Sequence, residues 1–127
     1  MARLPEQHVV TVGRYELIGP FPEYTDAIAA LSRRTEAEGD PGVIAYQFYA
    51  DTEAGTAGNL IVYADSSAFM RHMRMMANWE ERIPFGRTVR FVEFRVMGPL
   101  GDEAKRFLSS AGVTYAHFPT WAGGFVR

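Results

Sequence analysis

A direct passage from strand to helix occupies residues 60–72, which read Leu-Ile-Val-Tyr-Ala-Asp-Ser-Ser-Ala-Phe-Met-Arg-His. The run before the polar residues is apolar, β-branched and aromatic, as is typical of a strand. Asp65, Ser66 or Ser67 follows, and each of these side chains can accept a hydrogen bond from a free amide in the first turn of a helix. We therefore expect a strand over 59–64 and a helix that begins directly after it.

The expected helix continues with apolar and aromatic residues at helical spacing. Its predicted inward face carries Phe69, His72, Met73, Met76 and either Trp79 or Glu80. Pro84 and Gly86 are expected to end it. A strand over 88–97 follows. Its alternating side chains predict one face of Arg90, Val92, Phe94 and Val96 and another of Val89, Phe91, Glu93, Arg95 and Met97.

The residues before this stretch form the first half of the same pattern. A β-branched and aromatic run over 9–18 predicts a strand, which Gly19 and Pro20 end. Four apolar residues then recur at the spacing of one helix face: Tyr24, Ala27, Ile28 and Leu31. A second strand over 43–50 leads through a polar turn into the strand over 59–64, which predicts an antiparallel hairpin.

The predicted order of elements is β-α-β-β-α-β, two strand-helix-strand halves in succession. This order is typical of the ferredoxin-like α+β fold, in which an antiparallel sheet carries both helices on one face. The other face is then bare, although strands 43–50 and 88–97 have apolar residues on both sides. A second copy would cover that face, so we expect a homodimer in which two sheets close into a dimeric α+β barrel.

We expect a single domain over 1–127, with a ferredoxin-like core at 9–97 and a C-terminal extension at 98–127. Asp102 can cap a third helix in the extension. A short strand over 113–118 and an aromatic, apolar tail follow. Such a tail is usually held in place, so we expect it to pack on its own subunit or on the partner.

Composition excludes several classes of function. Thirteen basic and fifteen acidic residues give a formal net charge of -2, which offers no basic surface to nucleic acid or to anionic lipid. No run approaches the ~18 apolar residues of a membrane span. Cysteine is absent, and the three histidines lack the spacing of a metal motif. No signal-peptide run is present, so we expect a soluble, cytoplasmic protein without a metal.

The stretch over 60–72, the order of elements and the length resemble the antibiotic biosynthesis monooxygenase superfamily of dimeric α+β barrels. In that family the third strand often ends in an aromatic residue, here Tyr63. A polar cap and an alanine-phenylalanine pair follow, here Ala68-Phe69, and a histidine then comes on the helix, here His72. The resemblance covers about residues 9–97.

The resemblance implies a pocket between the sheet and the helices of each subunit. Some members of the family oxidise quinols or anthrone-like polyketides with molecular oxygen and without metal, flavin or haem. Others degrade haem, and others act as cyclases. The haem-degrading branch resembles this chain least. Its asparagine on the first strand and its tryptophan at the end of the third would fall at Gly13 and Tyr63, and its late helical histidine is missing from residues 78–80.

The resemblance and the residue chemistry together predict a cofactor-free monooxygenase for a small hydrophobic aromatic molecule, such as a quinol or an anthrone-like polyketide. His72 would be the base, since a neutral imidazole can accept a phenolic proton. Arg90 would stabilise the resulting anion. The predicted substrate-binding side chains are Tyr15, Phe48, Tyr63, Met76, Trp79 and Phe94.

Each of these residues also has a structural interpretation, and two other functions fit the same cavity. His72 can be a core or surface histidine, Arg90 can form an interstrand ion pair, and the aromatic and methionine side chains can simply pack. A non-oxidative polyketide cyclase or isomerase would use the same base without oxygen. A non-catalytic dimer would only bind an apolar ligand there, because one scaffold hosts many functions.

Overall fold

The computed structural model describes residues 5–127, in which it contains five strands and four helices. In chain order these are β1 (Val9–Leu17), α1 (Phe21–Glu38), β2 (Val43–Asp51), β3 (Thr56–Tyr63), α2 (Ser66–Met76), α3 (Arg82–Thr88), β4 (Val89–Met97), α4 (Asp102–Ser110) and β5 (Ala116–Phe118). Within the described range no helix has the length and hydrophobicity needed to cross a membrane. The predicted pattern is kept, with one additional short helix before β4.

The strands form one sheet in the order β2-β3-β1-β4-β5. β1 lies between β3 and β4 and is antiparallel to both, with Val9 opposite Tyr63 and Thr11 opposite Val96. β2 is antiparallel to β3, and β5 adds to the edge of β4 in the parallel direction. The antiparallel part is the ferredoxin-like arrangement, so the predicted α+β fold class is confirmed.

An irregularity in β4 changes which of its side chains face inward. Arg14 of β1 pairs with Glu93, whereas the next residue, Tyr15, pairs with Phe91, so β4 has one extra residue at Val92. Such a β-bulge interrupts the alternation of side chains between the two faces of a sheet. Phe91 and Phe94 therefore both border the space under the helices. The predicted strict alternation over this strand is wrong at the bulge.

The second helix ends earlier than predicted. Asp65 is its N-cap, and the Asp65 carboxylate accepts a hydrogen bond from the amide of Ala68 at 2.7 Å. The helix stops at Met76, and the two residues expected to end it, Pro84 and Gly86, lie instead within the separate helix α3. Residues 77–81, which include Trp79, therefore connect α2 to α3 and are not part of the inward face of α2.

The C-terminal extension contributes a helix to the core. Ala104 and Leu108 of α4 are buried, and they belong to the same apolar cluster as the inner side chains of β1, β3 and β4. Gly101, and not Asp102 as predicted, is the N-cap of α4. Asp102 lies in the first turn, where a negative charge is favoured by the helix dipole.

The tail that follows β5 begins against its own chain. The amide of Gly98 donates to the carbonyl oxygen of Phe118 at 2.9 Å. Phe118 and Trp121 border a crevice together with Pro5 and His8 from the start of the described chain. Further on, the tail is exposed.

The outer face of the sheet carries exposed apolar side chains between ion pairs. Tyr49, Leu60 and Val92 are 65%, 38% and 42% exposed. Arg14 pairs with Glu93 across β1 and β4 on the same face. This is the surface over which the expected homodimer would close.

Candidate functional site

A cavity of about 430 Å³ lies between the inner face of the sheet and the helices. The strands contribute Thr11, Tyr15, Tyr46, Phe48, Asn59, Ile61, Tyr63, Val89, Phe91 and Phe94 to its lining. The remaining lining residues are Leu31, Phe69, His72, Met73, Met76, Phe85, Gly86, Phe107, Leu108, Ala111 and Val113. No lysine, arginine, aspartate or glutamate is among them. The volume and the aromatic walls suit a small, flat, hydrophobic and uncharged molecule.

The structure brings six of the eight predicted site residues together. Those that border the cavity are His72, Tyr15, Phe48, Tyr63, Met76 and Phe94. They come from five elements: β1, β2, β3, α2 and β4. Arg90 and Trp79 do not border it.

His72 is the one imidazole in the cavity wall, and it is 1% exposed. Its ring lies 5.9 Å from each of the rings of Tyr46 and Tyr63, measured between centroids. Among the described residues neither Nδ1 nor Nε2 has a hydrogen-bond partner. A neutral imidazole therefore offers one unused acceptor and one unused donor at this place.

The environment of His72 favours its neutral form. Burial lowers the pKa of His72, because the charged imidazolium loses its hydration there. The carboxylate of Asp40 raises this pKa by a smaller effect, and that carboxylate is itself bound by Arg71 at 2.6 Å. At neutral pH the side chain is therefore an unprotonated base inside an apolar cavity.

Trp79 lies against His72 without bordering the cavity. Its ring meets the imidazole edge-on at 6.3 Å between centroids. The guanidinium of Arg34 lies 4.8 Å from the centre of the indole and forms two hydrogen bonds, of 3.0 and 2.8 Å, with the carboxylate of Glu81. The prediction that Trp79 is a cavity wall is wrong, because α2 ends at Met76 and helical spacing no longer applies. Trp79 instead packs against the imidazole from outside the cavity.

Arg90 lies on the outer face of the sheet. Its side chain is 65% exposed and forms an ion pair with Glu16 of the neighbouring strand. The residues on either side of it, Val89 and Phe91, point toward the cavity, so the alternation of the strand directs Arg90 away. The structure therefore corrects its predicted position as an anion stabiliser inside this cavity.

Asn59, the one amide side chain in the cavity wall, is not among the site residues predicted from the sequence. It is 9% exposed, and its Nδ2 donates to the hydroxyl of Tyr15 at 2.6 Å. A signal was present, because Asn59 stands two and four residues before the inward Ile61 and Tyr63, and a strand places such residues on one face. A polar residue that alternates with inward-facing residues of a strand places its polar side chain in the core.

The tyrosines of the cavity stay protonated. Burial raises the pKa of Tyr46 to about 12 and raises the pKa values of Tyr15 and Tyr63 as well, because a buried phenolate would lose its hydration. Their hydroxyl groups therefore serve as hydrogen-bond donors and acceptors. Deprotonation of a ligand needs another group.

Metal ligands are sparse in this region. In the described part of the chain the lining offers one imidazole, that of His72, and only the soft thioether sulfur atoms of Met73 and Met76 besides it. Within residues 5–127 no three histidine, cysteine, aspartate or glutamate side chains lie together so that they could hold a metal ion.

The fold of this chain is similar to that of several solved structures. No protein-family model matches the chain, and no curated protein matches it. MupZ from Pseudomonas fluorescens superposes with a TM-score of 0.73 at 18% identity, over 95% of each chain. SnoaB, a cofactor-independent oxygenase from Streptomyces nogalater, gives 0.61 at 16% identity, over 71% of this chain and 90% of that one. A Caulobacter crescentus protein provisionally assigned as an antibiotic biosynthesis monooxygenase gives 0.56 at 18% identity, over 72% and 86%.

The chain has the fold of the antibiotic biosynthesis monooxygenases. At these identities the likeness concerns the fold, and at that level the resemblance predicted from residues 60–72 is confirmed. The match to MupZ covers 95% of this chain, so it includes most of the extension over 98–127. The match to SnoaB covers 71%, a share close to that of the ferredoxin-like core. The helix α4, which closes one side of the cavity, lies in that extension.

Proposed function

We propose that this protein is a cofactor-independent monooxygenase that oxidises a small, uncharged aromatic molecule, a quinol or an anthrone-like polyketide, with molecular oxygen. The observation that carries the proposal is His72, a buried neutral imidazole whose two ring nitrogens are unpartnered at the wall of an aromatic cavity. A buried polar group normally has a partner. A ligand hydroxyl or an acidic C–H group would supply one.

The reaction needs little from the protein besides a base. Ground-state oxygen reacts slowly with closed-shell molecules, but an electron-rich carbanion or phenolate can transfer one electron to it. His72 removes a proton from the substrate to give that anion. The anion then passes one electron to oxygen, and the substrate radical and superoxide combine to form a C–O bond.

The peroxide that results takes up a proton and breaks down to product and water. For an anthrone, the methylene carbon loses two hydrogens and gains one oxygen atom as a carbonyl. The other oxygen atom leaves as water, and the proton held by His72 returns in that step. Oxygen is reduced and the methylene carbon is oxidised, so atoms and electrons balance without a further reductant.

The cavity walls support this chemistry by excluding water. Phe48, Met76 and Phe94 present ring and thioether surfaces that stack on a flat substrate. A reactive anion and a peroxide are protected from side reactions in such a site. The fold shared with SnoaB, a cofactor-independent oxygenase, supports the same proposal.

The test is oxygen consumption by purified, metal-free protein with a panel of anthrones and quinols. The blank is autoxidation without protein. We expect uptake above the blank, formation of a quinone or hydroxylated product, and a loss of about 100-fold or more in the His72→Gln variant. The matched control is His117→Gln, since His117 lies in β5 and its Nε2 bonds to the carbonyl oxygen of Gly98 at 2.8 Å, away from the cavity.

Two other outcomes would assign another function to the same cavity. Product that forms equally well under nitrogen would show a non-oxidative cyclase or isomerase that uses His72 as its base. Binding of the panel without any product would show a non-catalytic ligand-binding protein. Turnover that survives in His72→Gln would remove the role given to that residue.

A further inference from the structure

A chain of hydrogen bonds runs across the inner face of β1 and β3 inside the cavity. The backbone amide of Gly13 donates to Oδ1 of Asn59 at 2.9 Å. Nδ2 of Asn59 then donates to the hydroxyl oxygen of Tyr15 at 2.6 Å. All three residues are close in space because Gly13 pairs with Asn59 across the two strands.

This chain fixes the direction of the last proton. A backbone amide can only donate, so the oxygen end of the Asn59 side chain must face Gly13. The other end is then an NH₂ group, which can only donate, and the hydroxyl of Tyr15 is compelled to be its acceptor. The proton of that hydroxyl must point elsewhere. Among the described residues it has no recorded acceptor.

The glycine at position 13 makes the arrangement possible. A Cβ atom there would lie 2.8 Å from Oδ1 of Asn59 and 2.9 Å from the hydroxyl oxygen of Tyr15. Both distances are shorter than any normal carbon–oxygen contact, so a side chain would displace the pair. The polar pair therefore occupies space that this strand leaves open.

The ring of Tyr15 is held firmly at the cavity wall. It is 4% exposed and meets the rings of Phe85 and Phe91 edge-on at 5.7 and 5.0 Å between centroids. Tyr15 and both of these phenylalanines border the cavity. The hydroxyl proton of Tyr15, which Asn59 directs away from itself, is thus available to a ligand in the cavity.

We propose that the hydroxyl of Tyr15 is the hydrogen-bond donor to an oxygen atom of the ligand, and that Asn59 and Gly13 are the positioning residues that aim it. This assignment rests on the function proposed above, because it places the ligand in the same cavity. The donated bond strengthens as negative charge develops on the ligand oxygen, which is what an enolate or phenolate requires. Cooperative polarisation along the chain adds to it.

The same reasoning narrows the ligand class to a flat, uncharged ketone or phenol. Among residues 5–127 no charged side chain lines the cavity, so a carboxylate or phosphate would lack a counter-ion from these residues, at a large cost. Along β3, Asn59 and Tyr63 stand about 13 Å apart at the usual rise of a strand. His72 packs at the Tyr63 end, so base and donor face opposite parts of a molecule about the size of a fused ring system.

The test uses 9-fluorenone, a flat ketone that has no acidic proton for His72 to remove. The measured quantity is the frequency of the infrared carbonyl band of the bound molecule. A hydrogen bond to the carbonyl weakens the C=O bond and moves the band to lower frequency. We expect the band in the wild-type protein to lie lower than in Tyr15→Phe. We also expect fluorenone to bind about three- to tenfold more weakly to Tyr15→Phe, while fluorene, which lacks the oxygen, binds both proteins equally.

Asn59→Asp tests the positioning role without removing the donor. In alkaline solution, where the new carboxyl group is ionised, it accepts from both the Gly13 amide and the Tyr15 hydroxyl, so the proton would turn away from the cavity and the band would return to the Tyr15→Phe position. Tyr24→Phe is the matched control, because Tyr24 is equally buried at 3% exposure but donates to the carbonyl oxygen of Tyr49 at 3.2 Å. It should leave the band unmoved.

Three results would overturn the assignment: a band that Tyr15→Phe does not move, a wild-type protein that binds fluorenone no better than fluorene, or no binding of either. All of them are independent of turnover. A band shift without oxygen consumption would support Tyr15 as the donor and contradict the proposed monooxygenase activity. Oxygen consumption without the band shift would support the activity and contradict the role of Tyr15.

Discussion

At the scale of single residues, we propose that two polar side chains in the mainly apolar cavity, His72 and Tyr15, have separate tasks. His72 is a base without a partner, and Tyr15 is a donor without an acceptor. His72 is held by aromatic neighbours alone, whereas the hydroxyl of Tyr15 is also held by Asn59, and each side chain can still form a hydrogen bond with a ligand. Neither arrangement improves folding by itself, since an unsatisfied buried polar group costs about 1–3 kcal/mol.

The pH dependence of turnover follows from the lowered pKa of His72. An imidazole accepts a proton only while it is neutral, and burial moves its protonation below the ordinary value of about 6.5. We expect kcat/KM to be constant above about pH 6.5 and to fall as the pH decreases further. Initial rates measured over that range check it. An acidic limb whose midpoint lies above the ordinary value would contradict the assignment of His72 as the base.

The same residue makes folding stability depend on pH. The pKa of His72 is lower in the folded state than in the unfolded chain, so the unfolded chain binds the proton first. The contribution of neutral His72 to the free energy of unfolding is fully present above about pH 6.5, and it is lost as the pH falls through the folded-state pKa. Arg71 lowers the pKa of Asp40, so protonation of Asp40 also reduces folding stability, but only in more acidic solution.

Urea unfolding of the wild type and of His72→Gln at several pH values checks this dependence. The stability advantage of the wild type should shrink as the solution is acidified through that window. An advantage that grows on acidification would contradict a buried neutral imidazole.

At the scale of helices and strands, periodicity predicts where the elements are but not where they are interrupted. The strand pattern of 88–97 predicts β4, yet the bulge at Val92 depends on pairing with β1, which a single strand cannot reveal. The end of α2 at Met76 is likewise not marked by glycine or proline, which first follow at Pro84 and Gly86. The bulge leaves Phe94 beside the cavity but directs Arg90, which is predicted on the same face, outward, and the early end of α2 removes Trp79 from the cavity wall.

The site itself was predictable only in part, for the same reason. His72 follows from its place on a helix whose cap is visible in the sequence. Asn59 shows a signal in its phase with Tyr63, but the interpretation of a polar residue in a strand needs its partner. The direction of the Tyr15 proton depends on three residues from two strands, and no local pattern contains it.

The helix α4 has a testable structural role. Leu108 is 2% exposed, packs in the main apolar cluster and borders the cavity. Leu108→Ala should lower the free energy of unfolding by about 2–5 kcal/mol, since an opened cavity cannot collapse fully. Lys105→Ala on the exposed side of the same helix is the control and should have little effect. Equal stability of the two variants in urea would show that α4 does not belong to the folded core.

At the scale of the whole molecule, the sheet has one face under the helices and one face open. Exposed apolar side chains such as those of Leu60 and Val92 stand on the open face among ion pairs. Surfaces of this kind usually mark an interface. A second copy related by a twofold axis would cover the same residues on both chains.

The expected homodimer can be tested by sedimentation. Wild-type protein should sediment as a dimer at micromolar concentration, and Leu60→Glu should shift it toward the monomer, because the substitution buries a charge without a partner. Ile83→Glu is the control, since Ile83 is 43% exposed on α3, away from the open face. A monomeric wild type would contradict the prediction, and so would a Leu60→Glu variant that sediments as the wild type does.

The measurement that bears most directly on the proposed function is the mass of the product formed under isotopically heavy oxygen gas, using an anthrone as substrate and protein free of metal and cofactor. A monooxygenase reaction that His72 initiates predicts one heavy oxygen atom per molecule of quinone, at a rate above the protein-free blank that the His72→Gln variant loses. Product that carries no heavy atom, or labelled product that forms no faster than in the blank, would contradict it.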